Sequence, residues 1–122
     1  MQYPNKYYAE LAERIISNPS LRMKEGEVCF YQETASSFKT TTTTTTETRQ
    51  NYYSGMLFIT NMRMVFQCQV DSFDLLITQI KSVKQYSNGF EVISGRKSYK
   101  VMTDDMQGVL YVIDLINKAQ TT

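Results

Sequence analysis

Apolar residues follow two rhythms along this chain. Near both ends they recur every three or four positions, and between the ends they alternate or run in short blocks. Over residues 5–17, Tyr7, Tyr8, Leu11, Ile15 and Ile16 keep a helical spacing, with Glu10, Glu13 and Arg14 between them. Pro4 and Asn5 suit a helix start, and Asn18-Pro19 suits its end. Lys24-Glu25-Gly26-Glu27 reads as a turn. From there the pattern predicts strands over Val28–Thr34, Phe38–Arg49, Tyr53–Thr60, Arg63–Val70, Phe73–Ile77, Ile80–Tyr86, Phe90–Ser94 and Lys97–Thr103. In Arg63–Val70, Met64, Phe66, Cys68 and Val70 alternate with Arg63, Val65, Gln67 and Gln69, a period of two with one apolar face. Ser87-Asn88-Gly89 and Gly95-Arg96 are hairpin turns. The last element returns to the helical period: Met106, Val109, Leu110, Ile113 and Ile116 form one stripe. Thr103 or Asp104 would cap its start, and Lys118 suits its last turn.

A length of 122 residues fits one domain with a core of its own. Thirteen basic and twelve acidic residues nearly cancel, so net charge gives no argument for a nucleic-acid partner. No run approaches the ~18 apolar residues of a membrane span. The first residues lack the apolar stretch of a secretory signal, and neither end carries a lipidation signal. The expectation is a soluble cytoplasmic protein. Cys29 and Cys68 lie far apart within strand-like runs and read as small buried hydrophobes rather than a disulfide.

The chain contains no histidine, which removes every mechanism that uses one as base, shuttle or ligand. Two cysteines without histidine make a poor zinc site. Phosphate-cradling glycine loops and the Gly-x-Ser-x-Gly nucleophile turn are absent. Asp104-Asp105 is the nearest thing to a carboxylate pair, and helix capping accounts for it. A non-enzyme without metal or cofactor is expected.

Gly55–Phe66, GMLFITNMRMVF, places two β-rich runs around Thr60-Asn61-Met62-Arg63. Gly55, Leu57, Ile59, Thr60, Asn61, Arg63, Met64, Val65 and Phe66 resemble the signature hairpin of the GRAM branch of the pleckstrin-homology (PH) superfold. The resemblance implies a mainly β (α+β) chain: a PH-like barrel of two near-orthogonal antiparallel sheets with seven or eight strands. A C-terminal helix would cap it. Residues 24–122 would form the PH/GRAM-like domain, and residues 1–23 a helical extension.

Three surfaces are candidates for binding. Seven consecutive threonines, Thr40–Thr46, favour a strand yet commit to no core, because hydroxyl side chains alternate onto both faces. Thr40, Thr42, Thr44 and Thr46 would line either a partly exposed arm or an edge that pairs with another chain, a partner's or a second copy's. In the PH superfold, the first-second, third-fourth and sixth-seventh strand turns meet at one open end. The resemblance assigns these to Thr34–Ser37, Thr60–Arg63 and Ser94–Lys97, so Arg63, Arg96 and Lys97 could form an anion site there, or a solvated basic face with Arg63 in a structural pair. The first of those turns lacks the bases of a phosphoinositide-binding pattern. Tyr7, Tyr8, Leu11 and Ile15 would either close over the barrel as a lid or form a self-association or partner surface. The leading expectation is an adaptor for a protein or peptide. Behind it stand a peripheral membrane module for anionic head groups and a structural protein that self-assembles through the Thr-rich strand.

Overall fold

The structure, a computed structural model, describes residues 6–42, 48–69 and 72–120. Helix α1 (Lys6–Ala12) leads through an irregular segment to strands β1 (Cys29–Thr42), β2 (Thr48–Thr60), β3 (Arg63–Gln67) and β4 (Phe73–Leu76). A short 3-10 turn, Ile77–Gln79, connects to β5 (Ser82–Tyr86), β6 (Gly89–Ser94) and β7 (Lys97–Met102). Helix α2 (Met106–Gln120) follows. Every pairing is antiparallel, in the order β4-β3-β2-β1-β7-β6-β5. The chain is mainly β, a seven-strand antiparallel sheet with a C-terminal helix and an added N-terminal helix, the element order expected from its sequence.

The largest departure concerns β1. Thr34–Ser37 is not a turn; it lies inside one strand of fourteen residues. Ala35 pairs with Gly55 and Ser36 with Ser54, while Ser36 and Ser37 also meet Met102 and Val101 of β7. Partners on both sides hold small polar residues extended despite their turn preference. The strand expected over Phe38–Arg49 therefore divides. Residues 38–42 complete β1, Arg49 belongs to β2, and residues 43–47 lie outside the described residues, as does the helix start expected at Pro4 and Asn5.

β1 joins the two halves of the sheet. It pairs with β2 along its whole length but with β7 only at Ser36 and Ser37. On the concave side Leu57, Ile59, Met64, Phe66, Phe90, Val92 and Val101 meet Val109, Val112 and Ile116 of α2. Each such side chain contributes about 1.5–3 kcal/mol by leaving water. Leu11 of α1 joins this core, with α1 packed on α2. A smaller cluster, Leu21, Cys29, Phe58 and Val65, lies on the other side of β2 and β3, with Ile16 and Met23 packed against it. Residues 16–23 thus cover the outer face of β3, and Arg63–Phe66 are buried without alternation.

α1 is shorter than the sequence period implies. It ends at Ala12, where Glu13 and Arg14 N–H groups bond to Glu10 and Leu11 carbonyls in tight turns. Ile16 then donates to the Cys29 carbonyl, drawing the chain away to the sheet. Cys29 and Cys68 are free thiols.

Candidate functional site

The hairpin motif builds a buried polar cluster at the β2–β3 turn. The Thr60 hydroxyl donates to Glu27 Oε2 at 2.6 Å and accepts the Met62 and Arg63 N–H groups at 3.0 Å each. Asn61 Nδ2 donates to the Gly26 carbonyl, and Asn61 Oδ1 accepts from Val28 N at 2.8 Å. Arg63 clasps Glu27 through Nε (2.7 Å) and Nη2 (3.0 Å), Asp74 through Nη1 (2.6 Å) and the Arg22 carbonyl through Nη2 (2.9 Å). Burial alone would push the Glu27 carboxyl up. Hydrogen bonds from Arg63, Thr60 and the Lys24 N–H outweigh it and bring the pKa from 4.5 to about 2. The hydrogen bonds that Arg63 donates to Glu27 lead in raising the Arg63 pKa, against the opposing effect of burial.

Arg63 is therefore not part of an open anion site. It is 6% exposed, and two carboxylates hold its guanidinium. The register also separates it from Arg96 and Lys97. Thr60 pairs with Cys29 at the start of β1, whereas β7 runs from Met102, opposite Ser36, back toward the Thr42 end. The proposed meeting of these turns failed because one extra strand had been counted before Thr60–Arg63: that turn joins β2 to β3, not a third strand to a fourth. Arg96 and Lys97 stand exposed on the β6–β7 turn, where Gly95 adopts φ +62°.

Thr40 and Thr42 lie in β1, opposite Gln50 and Thr48; Thr44 and Thr46 lie outside the described residues. Here β1 and β2 form an arm. β7 leaves β1 after Ser37, and β3 reaches β2 only from Met56 onward. Among the described residues, the ladder from Phe38↔Tyr52 to Thr42↔Thr48 has no strand on either side.

The expected helical surface is divided. Leu11 is 3% exposed in the core. Tyr7 is half-buried between the Lys6 and Lys118 ammonium groups, 5.3 and 5.4 Å from its ring centre. The Tyr8 side chain lies outside the described residues. Ile15 falls beyond the helix end and is 49% exposed. Tyr111 bonds Glu10 and lies under Arg14 at 4.9 Å, which fastens α1 to α2.

One feature was missed by sequence reasoning. A cleft of ≈ 420 Å³ lies where β1 passes the end of β7, lined by Thr34, Ser36, Ser54, Asn88, Thr103 and Asp104 among others. Asn88 and Thr103 are joined through the Thr103 N–H and the Asn88 carbonyl, and the Thr103 hydroxyl accepts the Asp105 N–H at 3.1 Å. The signal was the run of small polar residues at 34–37: inside a strand, such side chains leave room above the sheet. Among the described residues, no group of three His, Cys, Asp or Glu could hold a metal, and no helix is long and apolar enough to cross a membrane.

No family model matches the chain, and no curated protein matches it. Among the solved structures similar to it are two. One is the crystal structure of the C-terminal domain of an unknown protein from Leishmania infantum: 18% identity over 92% of this chain and 93% of that one, with a TM-score of 0.52. The other is the solution structure of the N-terminal PH domain of human ARAP2: 10% identity over 84% and 90%, with a TM-score of 0.48. The first likeness is one of fold alone, and the second is too weak to carry an argument.

Proposed function

We propose that this chain is a non-catalytic binding module that takes an extended segment of a protein or peptide partner as an added strand on the β1–β2 arm. The observation behind this reading is the ladder from Phe38↔Tyr52 to Thr42↔Thr48, which no third strand joins among the described residues. A two-stranded ribbon is marginal in water and presents backbone donors and acceptors along each edge. Strand addition supplies the missing partner through those groups. Threonine suits such an edge: it favours extended backbone, and opposed threonines pair well across strands. The rival anionic head-group reading retains Arg96 and Lys97 but loses Arg63 to its carboxylates.

Peptides selected from a displayed random library would be titrated against the wild type, Thr40→Pro and Thr41→Pro. Successive N–H groups of a strand point to opposite edges, so one proline removes a donor facing β2 and the other a donor on the open edge. The open-edge variant should stay folded and lose the peptides. A mass that rises with concentration in the wild type and not in that variant would make the added strand a second copy of this chain. Peptides that bind both proline variants as well as the wild type would sink the reading. So would binding to anionic vesicles alone, abolished by Arg96→Glu with Lys97→Glu.

A further inference from the structure

We propose that the cleft beside the β1–β7 junction receives a cationic side chain, a lysine or arginine carried on an extended segment of a partner protein. The site is distinct from the arm. It lies on the Thr34 side of the Ser36–Ser37 junction, and the arm begins on the other side of it. Its volume, ≈ 420 Å³, is that of a ligand cleft and holds a few residues of extended chain.

The lining decides the chemistry. Thr34, Ser36 and Ser54 present hydroxyl groups from the outer face of β1 and β2, and Asn88 adds an amide. Among the described residues, no aromatic ring, against which a sugar or a base would stack, lines it. No lysine or arginine among the described residues lines it either, so a phosphate or carboxylate would find no countercharge from them. Among the described residues its one charged lining group is Asp104, which is exposed. The next charge along the chain, Asp105, has the same sign and receives the Tyr31 hydroxyl at 3.1 Å. The nearest base back along β7 is Lys100, which stands opposite Glu91 of β6. An ammonium or guanidinium group needs a carboxylate and several neutral acceptors around it, and hydroxyl oxygens with Asp104 make such a set. The small side chains matter as much as the charge, because a longer residue at Ser36 or Ser54 would occupy the volume itself.

The test uses the intact chain, 15N-labelled, titrated with acetyl-Ser-Lys-Ser-Lys-Ser-amide and with the same peptide carrying glutamate in place of lysine. The lysine peptide should produce saturable amide shifts at Thr34, Ser36, Ser54, Asn88 and Asp104. The glutamate peptide should produce none, and added salt should weaken the lysine peptide. Asp104→Asn keeps a side-chain acceptor ahead of α2 and should weaken binding roughly tenfold. Ser54→Arg, on an exposed position, should abolish it by placing a guanidinium in the cleft. Equal shifts from the two peptides, shifts confined to other acidic surfaces, no response to the lysine peptide, or full binding by a folded Ser54→Arg would each overturn the proposal. The arm reading survives any of these, because its proline variants lie outside the cleft.

Discussion

The two ends of β1 differ more than any other two parts of this protein. At the Cys29 end, the buried side chains of Glu27, Thr60 and Arg63 interlock with Asn61, Asp74 and the backbone of Arg22 and Val28 through hydrogen bonds. At the Thr42 end the same strand runs on with β2 as its one partner among the described residues. Charge in the sequence is a poor guide to which end binds something. Arg63 looks available when only its neighbours in sequence are known, yet it closes the fold. The threonine and serine stretch carries no charge but Lys39, yet it holds an edge that no third strand joins among the described residues and, at its base, the cleft. The hairpin motif acts here as a clamp: it ties the β2–β3 turn to the segment that enters β1, so strands distant in sequence share one rigid corner.

The sharpest way to break this contrast is to remove the guanidinium. Arg63→Met leaves Glu27 charged and buried without its partner, and should cost about 3–5 kcal/mol in urea unfolding. Arg96→Glu with Lys97→Glu, on an exposed turn, should change stability by less than about 0.5 kcal/mol. Partial recovery on adding Glu27→Gln to Arg63→Met would show that the lost stability comes from the stranded carboxylate. A cost below about 1 kcal/mol for Arg63→Met alone would mean that the clamp is not structural.

Acid should probe the same corner on a smaller scale. The folded pKa of Glu27, about 2, lies below its ordinary 4.5, so the folded state holds the carboxylate more tightly than the unfolded chain does. That stability is present in full above pH 4.5 and is lost as pH falls from there toward 2. The difference corresponds to about 3 kcal/mol. Unfolding free energy followed from pH 6 to pH 2 should fall by about that amount more in the wild type than in Glu27→Gln. Parallel curves would place the acid-sensitive group elsewhere.

Much of the molecule was legible from residue order because local and tertiary preferences agree there. Phe90–Ser94 and Lys97–Met102 pair across Gly95-Arg96 as the alternation implies, and Val109, Ile113 and Ile116 of the expected α2 stripe lie in the core, where Val112, Leu115 and Ala119 join them in place of Met106 and Leu110. The mainly β order with a helix at each end could be read because such patterns set which segments are strands and which are helices. The errors arose where a tertiary partner overrides local preference. Thr34–Ser37 has turn composition but is held straight by β2 and β7. That one misreading shifted the strand count and brought Arg63 to the wrong end. Ile15 continues a helical stripe, but the Ile16 bond to Cys29 ends the helix before it. The cleft was invisible for a related reason: it joins residues 34–36 to residues 102–104, and no period in a sequence reports such a meeting.

Two glycines give the finest test of where the clamped region ends. Gly55 sits at the last position before β3 takes its place beside β2. A Cβ there would stand 2.3 Å from the Gln67 carbonyl oxygen and 2.8 Å from the Phe66 ring. Backbone cannot yield as a flexible side chain does, so Gly55→Ala should push β3 outward and cost about 1–3 kcal/mol. A Cβ on Gly95 would meet nothing within 4 Å among the described residues, and the φ of +62° is what resists a side chain there. Gly95→Ala should therefore cost only about 1 kcal/mol, the strain of a left-handed residue in an otherwise open turn. Thermal unfolding of both variants separates crowding from strain. If Gly95→Ala proved the costlier, the β6–β7 turn would be a firmly held element rather than an open one, and the division between a locked corner and an accessible far end would have to be redrawn around it.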